Sequence, residues 1–145
     1  MPITTENLIV VSNRLPFVLE RNKTTGALSR KASVGGLVTA VAPISSKEDK
    51  DNPTSSLKSS QIVPVKIEPD AYNIYYNECC NGALWPLFHS MPDKAVFSED
   101  AWEVYMRVNQ AFADKTLDVI REMLHKNPKA SPLVWIHDYH LMLAA

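Results

Sequence analysis

Two short apolar runs that break off into polar turns constrain this chain more than anything else in it. One reads Leu8-Ile9-Val10-Val11-Ser12 before Asn13 and Arg14. The other reads Leu133-Val134-Trp135-Ile136 before His137, Asp138, Tyr139 and His140. Continuous apolar runs of this length are the pattern of strands buried on both faces, as in parallel sheets. In an open α/β sheet, ligands bind just outside the carboxyl ends of such strands. The two polar turns are therefore two corners of a candidate site.

The stretch between them fills in an α/β layout. Positions 17–19 and 26–28, parted by Asn22-Lys23-Thr24-Thr25, form a small hairpin or a loop excursion. Ser33-Val34-Gly35-Gly36 opens an apolar stretch over 37–44, a short helix cut off by Pro43. Positions 45–60 carry almost no apolar residue and read as a solvated loop or disordered segment. The β-branched alternation of 61–67 predicts a strand, at a sheet edge because Pro64 cannot donate to a ladder. Positions 70–76 predict a helical turn.

The clearest helix runs over 99–126. Tyr105, Val108, Phe112, Val119 and Met123 make an apolar stripe at near-helical spacing. Ser98 caps it, Glu99 and Asp100 suit its positive end, and His125 and Lys126 its negative end. Strand, glycine-led helix, strand, long helix, strand is an α/β arrangement with a Rossmann-like parallel sheet.

Composition narrows the function classes. A length of 145 residues holds one domain with a core, and 46% apolar with 21% charged residues is ordinary for a globular protein. A formal net charge of -1 gives no electrostatic reason to expect nucleic acid or an anionic membrane as partner. No apolar run approaches the roughly 20 residues of a membrane span, and no secretory leader is visible. Cys79 and Cys80 are adjacent; a disulfide between neighbours is strained, so free thiols in a reducing cytoplasm are expected.

Several residues are suited to chemistry. Arg14 at a strand end presents a guanidinium fork matched to phosphate or carboxylate, against the alternative of a surface arginine in a turn. Gly35-Gly36 ahead of a helix offers bare N–H groups to a diphosphate, although tight turns need glycine too. Tyr75-Tyr76-Asn77 and the run Asn81-Gly82-Ala83-Leu84-Trp85-Pro86-Leu87-Phe88-His89 combine aromatic faces with amides, a common way to grip sugars. Trp85 and Phe88 are alternatively core residues, and for Phe88 the core is preferred. His137-Asp138-Tyr139-His140 invites a metal, but a zinc site wants about three or four ligands and no second cluster lies near in sequence. Asp138 orienting a substrate hydroxyl at a strand end is the more natural role.

The order of these motifs is more telling than any one of them. Val10-Val11-Ser12-Asn13-Arg14-Leu15-Pro16, Gly35-Gly36-Leu37-Val38, Tyr75-Tyr76-Asn77, Leu84-Trp85-Pro86-Leu87-Phe88-His89, Val108-Asn109-Gln110-Ala111-Phe112-Ala113-Asp114 and Trp135-Ile136-His137-Asp138-Tyr139-His140-Leu141 follow one another along the chain. Together they closely resemble the N-terminal region of the trehalose-6-phosphate synthase family, over 8–143 apart from 45–60. The resemblance implies the two-domain GT-B fold and a retaining transfer of glucose from UDP-glucose to glucose 6-phosphate, with no metal or other cofactor. It implies that Arg14 meets the acceptor phosphate and that Tyr76, Trp85 and Asp138 line the acceptor sugar. Gly35 and Gly36 would lie against the donor diphosphate.

The sequence departs from the family pattern in two ways. A Gly-Leu-Trp-x-Gly-Trp-x-Gly-like segment that the family places after the glycine-led helix is absent, since Pro43-Ile44 passes directly into Ser45-Ser46-Lys47. Residues 1–145 are also expected to be only part of the N-terminal, acceptor-side domain, with the donor domain and its basic residues missing. Those cations stabilise the leaving UDP in this family, so the chain alone is expected to be inactive. The alternative is a shortened, non-catalytic binding or regulatory subunit associating with a full-length synthase. A third expectation is that half a Rossmann domain, with uncovered edges, does not fold stably alone.

Overall fold

The computed structural model describes residues 8–14, 17–21, 28–32 and 61–145. The chain divides into two compact units, one comprising 1–6 and 12–63, the other 7–11 and 64–145.

In the first unit the described elements are strands β2 (Phe17–Arg21) and β3 (Leu28–Ala32), paired antiparallel with Phe17 opposite Ala32 and Arg21 opposite Leu28. Of the two alternatives for 17–28, hairpin or loop excursion, the hairpin is the one formed, with its second strand lying further along the chain. The expected helix over 37–44 and the polar stretch 45–60 lie outside the described residues.

The second unit is mixed α/β. Strand β1 (Leu8–Ser12) and strand β4 (Leu133–His137) are hydrogen-bonded neighbours in a small parallel sheet, so both end at the same edge. Both strands fall where the apolar runs predicted them. Their burial does not reach the expected extent: Val11 is buried, whereas the other residues of both strands are half-buried or, at Leu133, exposed.

Helix α3 (Glu99–Lys126) has the bounds its stripe and caps predicted. The Ser98 hydroxyl accepts a 3.3 Å hydrogen bond from the Ala101 N–H. Its N-terminal half supplies Ala101, Val104, Tyr105, Val108 and Phe112 to the core, joined by Val11, Tyr75, Cys79, Cys80, Leu84 and Leu141. Its C-terminal half is more exposed, with short-range pairs Asp118–Arg121 and Glu122–Lys126 on the surface. Such exposed pairs add little to stability, because water and salt screen them.

The predicted helical turn at 70–76 proves to be the beginning of a longer rod. Helix α1 (Pro69–Asn73) runs without interruption into a π-helix (Ile74–Leu84) and then into α2 (Trp85–Phe88). The widened turn is visible where the Trp85 N–H reaches back to the Cys80 carbonyl. Pro86 has no N–H to give and its ring crowds the carbonyl four residues earlier. That carbonyl, of Gly82, instead accepts from the Val96 N–H at 2.9 Å. The rod ends with Ser90 in the left-handed region (φ 59°), while the Met91 N–H bonds the Pro86 carbonyl at 2.8 Å. This is the usual helix-stop geometry, here without the usual glycine.

The strand predicted over 61–67 is not formed. Its alternation is nevertheless real: Val65 and Ile67 pack against the core while 64, 66 and 68 are exposed. Side-chain burial alone produces the pattern, and without a ladder partner it does not make a strand.

Candidate functional site

The turn after β4 is the most unusual piece of backbone among the described residues. Asp138 has φ 73° and ψ 164°, a region that is essentially reserved for glycine and costs a non-glycine residue about 1–3 kcal/mol. Its carboxylate is engaged locally while remaining open to solvent. One oxygen accepts from the Tyr139 N–H at 2.7 Å, and the other lies 3.3 Å from His140 Nδ1. The strain therefore buttresses an exposed carboxylate at a strand's carboxyl end, where α/β folds place ligands.

Aromatic rings flank this carboxylate in a continuous stack. His140, itself buried, lies against Tyr139 (centroids 4.3 Å apart, 23° between planes) and against Tyr76 (5.5 Å, 10°). Tyr76 in turn stacks on Tyr72 one helical turn earlier (5.4 Å, 7°). The structure thus links two of the predicted acceptor residues, Tyr76 and Asp138, through His140, which sequence reasoning had considered only as a metal ligand.

Trp85 is 41% exposed and stacks on His89 at 4.2 Å, with His89 Nδ1 2.7 Å from the Trp85 carbonyl. Phe88, expected in the core, is instead 57% exposed and tilts towards Tyr139 at 5.9 Å. Its place at the end of a rod that stops at Ser90 leaves nothing in sequence pattern to bury it. Arg14 is exposed, and its N–H donates to the Ser12 hydroxyl at 3.3 Å; it belongs to the other unit. Gly35 and Gly36 lie outside the described residues.

A second concave feature, of about 300 Å³, is lined by Cys79, Ala83, Leu84, Val96, Phe97, Ala101 and Trp102, with Glu78 and Glu99 among its polar residues. It includes none of the predicted sugar-facing residues and offers a hydroxylated ligand few partners. The neighbouring thiols are unreactive in character. Burial raises Cys79, and burial with the adjacent Cys79 pushes Cys80 up to about 12, so both are held protonated. Among the described residues no group of three or more His, Cys, Asp or Glu is placed to hold a metal ion, and no helix is long and apolar enough to cross a membrane.

Sequence reasoning missed the buried polar residues behind the turn. Asn109 is fully buried, next to Val108 and one turn beyond Tyr105. A polar residue inside the apolar face of a helix is uncommon enough to be the available signal.

A strand-end carboxylate flanked by aromatic rings on a mixed α/β frame is the kind of site that sugar-handling enzymes use. The chain belongs to glycosyltransferase family 20, whose family model matches residues 6–145. It is 35% identical over 153 aligned residues to the 56 kDa subunit of the UDP-forming alpha,alpha-trehalose-phosphate synthase of Saccharomyces cerevisiae, covering 94% of this chain and 29% of the relative. The Dictyostelium discoideum synthase A is 36% identical, with 94% of this chain and 19% of the relative covered.

Among solved structures, the trehalose-6-phosphate synthase OtsA superposes with a TM-score of 0.55 at 30% identity, over 93% of this chain and 29% of that one. The Burkholderia xenovorans synthase in complex with glucose-6-phosphate gives 0.55 at 26% identity, over 93% and 29%. An E. coli structure bound with UDP-2-fluoro glucose gives 0.53 at 28%, over 92% and 28%. The chain therefore spans less than a third of the length of these relatives, and matches their N-terminal part.

Proposed function

We propose that residues 1–145 form part of the acceptor-side domain of a retaining, GT-B-type glucosyltransferase. The whole enzyme would move glucose from UDP-glucose to glucose 6-phosphate and give trehalose 6-phosphate. The observation that carries this reading is the strained, outward-facing Asp138 at the end of β4, tied through His140 to the Tyr76 ring.

Each residue has a role its chemistry suits. The Asp138 carboxylate accepts from a sugar hydroxyl, a charge-assisted bond stronger than a neutral one. Tyr76 and Trp85 offer ring faces to the apolar C–H surface of the hexose. The Arg14 fork takes the 6-phosphate, and the N–H groups at Gly35 and Gly36 face the donor diphosphate. No metal or cofactor is part of this reading. Stabilising the leaving UDP requires cations that this reading places elsewhere in the relatives' length, so the chain itself is proposed to bind acceptor without turning it over.

Calorimetric titration of the purified chain with glucose 6-phosphate tests the proposal. Saturable binding is expected, weakened at least tenfold in Arg14→Ala, since a charge-assisted phosphate contact contributes about 1.5–3 kcal/mol. Wild-type protein that melts cooperatively yet binds no glucose 6-phosphate would refute it.

A further inference from the structure

The local bonds of the Asp138 carboxylate are not all that fixes this turn. The backbone that follows it is gripped by buried side chains from two other elements. The Tyr105 hydroxyl donates to the Tyr139 carbonyl at 2.7 Å and accepts from the Met142 N–H at 3.2 Å. Asn109 Nδ2 donates to the His140 carbonyl at 3.1 Å, while its Oδ1 accepts from the Leu143 N–H at 3.0 Å. The Tyr75 hydroxyl donates to the same His140 carbonyl at 3.1 Å. Tyr75, Tyr105 and Asn109 are all fully buried, and the two tyrosine rings stack at 5.9 Å.

This arrangement is more specific than core packing requires. Two successive carbonyls and two later N–H groups are each met by a side chain of fixed reach. The second nitrogen-borne hydrogen of Asn109 is also used, on the Tyr105 carbonyl at 2.9 Å, which locks the amide's orientation. Residues 139–143 therefore cannot rotate without leaving buried polar groups unpaired. A conformation as unfavourable as that of Asp138 persists only where its surroundings over-determine it. Here the surroundings are this clamp.

We infer that Tyr105 and Asn109, supported by Tyr75, are positioning residues for acceptor specificity: through the backbone of 139–143 they hold Asp138 in its strained turn and aim its carboxylate at the sugar. The inference rests on the acceptor-site reading of Asp138. Tyr105 and Asn109 touch no ligand themselves; they act through Asp138.

A double-mutant cycle on glucose 6-phosphate binding tests this. Tyr105→Phe, which keeps the ring and removes the hydroxyl, should weaken binding about tenfold, the size of one lost hydrogen bond to a well-placed group. Added to Asp138→Asn, it should weaken binding no further than about twofold, because residues acting through one group are not additive. Losses that multiply, or a Tyr105→Phe chain that binds like wild type, would overturn the inference. Should Tyr105→Phe not fold, Tyr75→Phe takes its place: the His140 carbonyl keeps Asn109, and a loss of about threefold with the same coupling is expected.

A ligand-free readout separates failure of the clamp from failure of the acceptor reading. If wild type binds no glucose 6-phosphate, the acceptor reading falls and amide exchange judges the clamp. Exchange of the Tyr139 N–H about tenfold faster in Tyr105→Phe, with Val108 in mid-helix unchanged, would uphold it. An unchanged Tyr139 rate, or equal acceleration at both, would sink it.

Discussion

The rod Pro69–Phe88 and the helix Glu99–Lys126 meet in one core, yet they present their side chains on different schedules. In the long helix the buried positions 101, 104, 105, 108 and 112 recur every three to four residues, the regular α-helical stripe. In the rod's π-helical centre the buried residues are Tyr75, Cys79, Cys80, Ala83 and Leu84, and among them the pairs Tyr75/Cys80 and Cys79/Leu84 share a face at five-residue separation, as its wider turn allows. The regular helix supplies the supporting groups Tyr105 and Asn109. The wide one puts Tyr75 into the clamp and, at the next residue, Tyr76 into the aromatic stack. A π-helix is an uncommon conformation, often found at functional sites, and here its adjacent tyrosines face the buried clamp and the aromatic stack respectively.

The sharpest way to break this division of labour is Tyr105→Ala. It removes a fully buried aromatic ring from the regular helix and strands the Tyr139 carbonyl and the Met142 N–H. A loss of about 3–5 kcal/mol is expected in urea unfolding. A loss under about 1 kcal/mol would mean that the two helices do not share a core.

Raising the pH probes the wide helix next. Cys80 goes from its ordinary 9.0 up to about 12 through burial, and Tyr105 up to about 12; Tyr75 is raised as well, chiefly by burial. These groups bind protons more tightly folded than unfolded. The stability this represents is complete below pH 9 and is lost as pH rises from there towards 12. Unfolding midpoints should hold from pH 7 to 8.5. They should then fall, with Cys80 alone contributing up to about 1.4 kcal/mol per pH unit. In Cys80→Ala the slope between pH 9 and 11 should be shallower; an identical slope would remove the thiol from the account.

Gly82→Ala separates the two helices by sign. In an exposed regular helix this change stabilises by about 1 kcal/mol. At Gly82 the new methyl would lie 3.2 Å from the Asn77 carbonyl oxygen, a backbone atom with little freedom to retreat. We expect a destabilisation of about 1 kcal/mol, read from the denaturation midpoint. Stabilisation would indicate that the rod has relaxed to ordinary α-helical turns. The smallest effect belongs to Ser98→Ala at the start of the long helix, about 0.5–1 kcal/mol by the same measurement, since its capping bond is long.

The contrast between the helices also explains what was legible beforehand. The long helix could be bounded from its stripe, its cap and its charged ends, because each of those signals is local. The rod could not: beyond the helical turn at 70–76, Gly82, Trp85-Pro86 and the paired cysteines carry no 3.6-residue period from which a helix could be bounded. The segment 61–67 showed the opposite error, an alternation read as a strand that is only the burial of Val65 and Ile67.

By itself, the sequence determined the places of β1 and β4, the long helix with both its ends, and membership of glycosyltransferase family 20. These follow from neighbours in the chain: apolar runs, caps, and motifs in order. Only the tertiary structure decided that Asp138 is strained, that His140 stacks between Tyr139 and Tyr76, and that Tyr75, Tyr105 and Asn109 secure the turn. Those bonds join residues 31 to 65 positions apart. A hydrogen bond of that kind forms because packing brings its ends together, and no local pattern announces it.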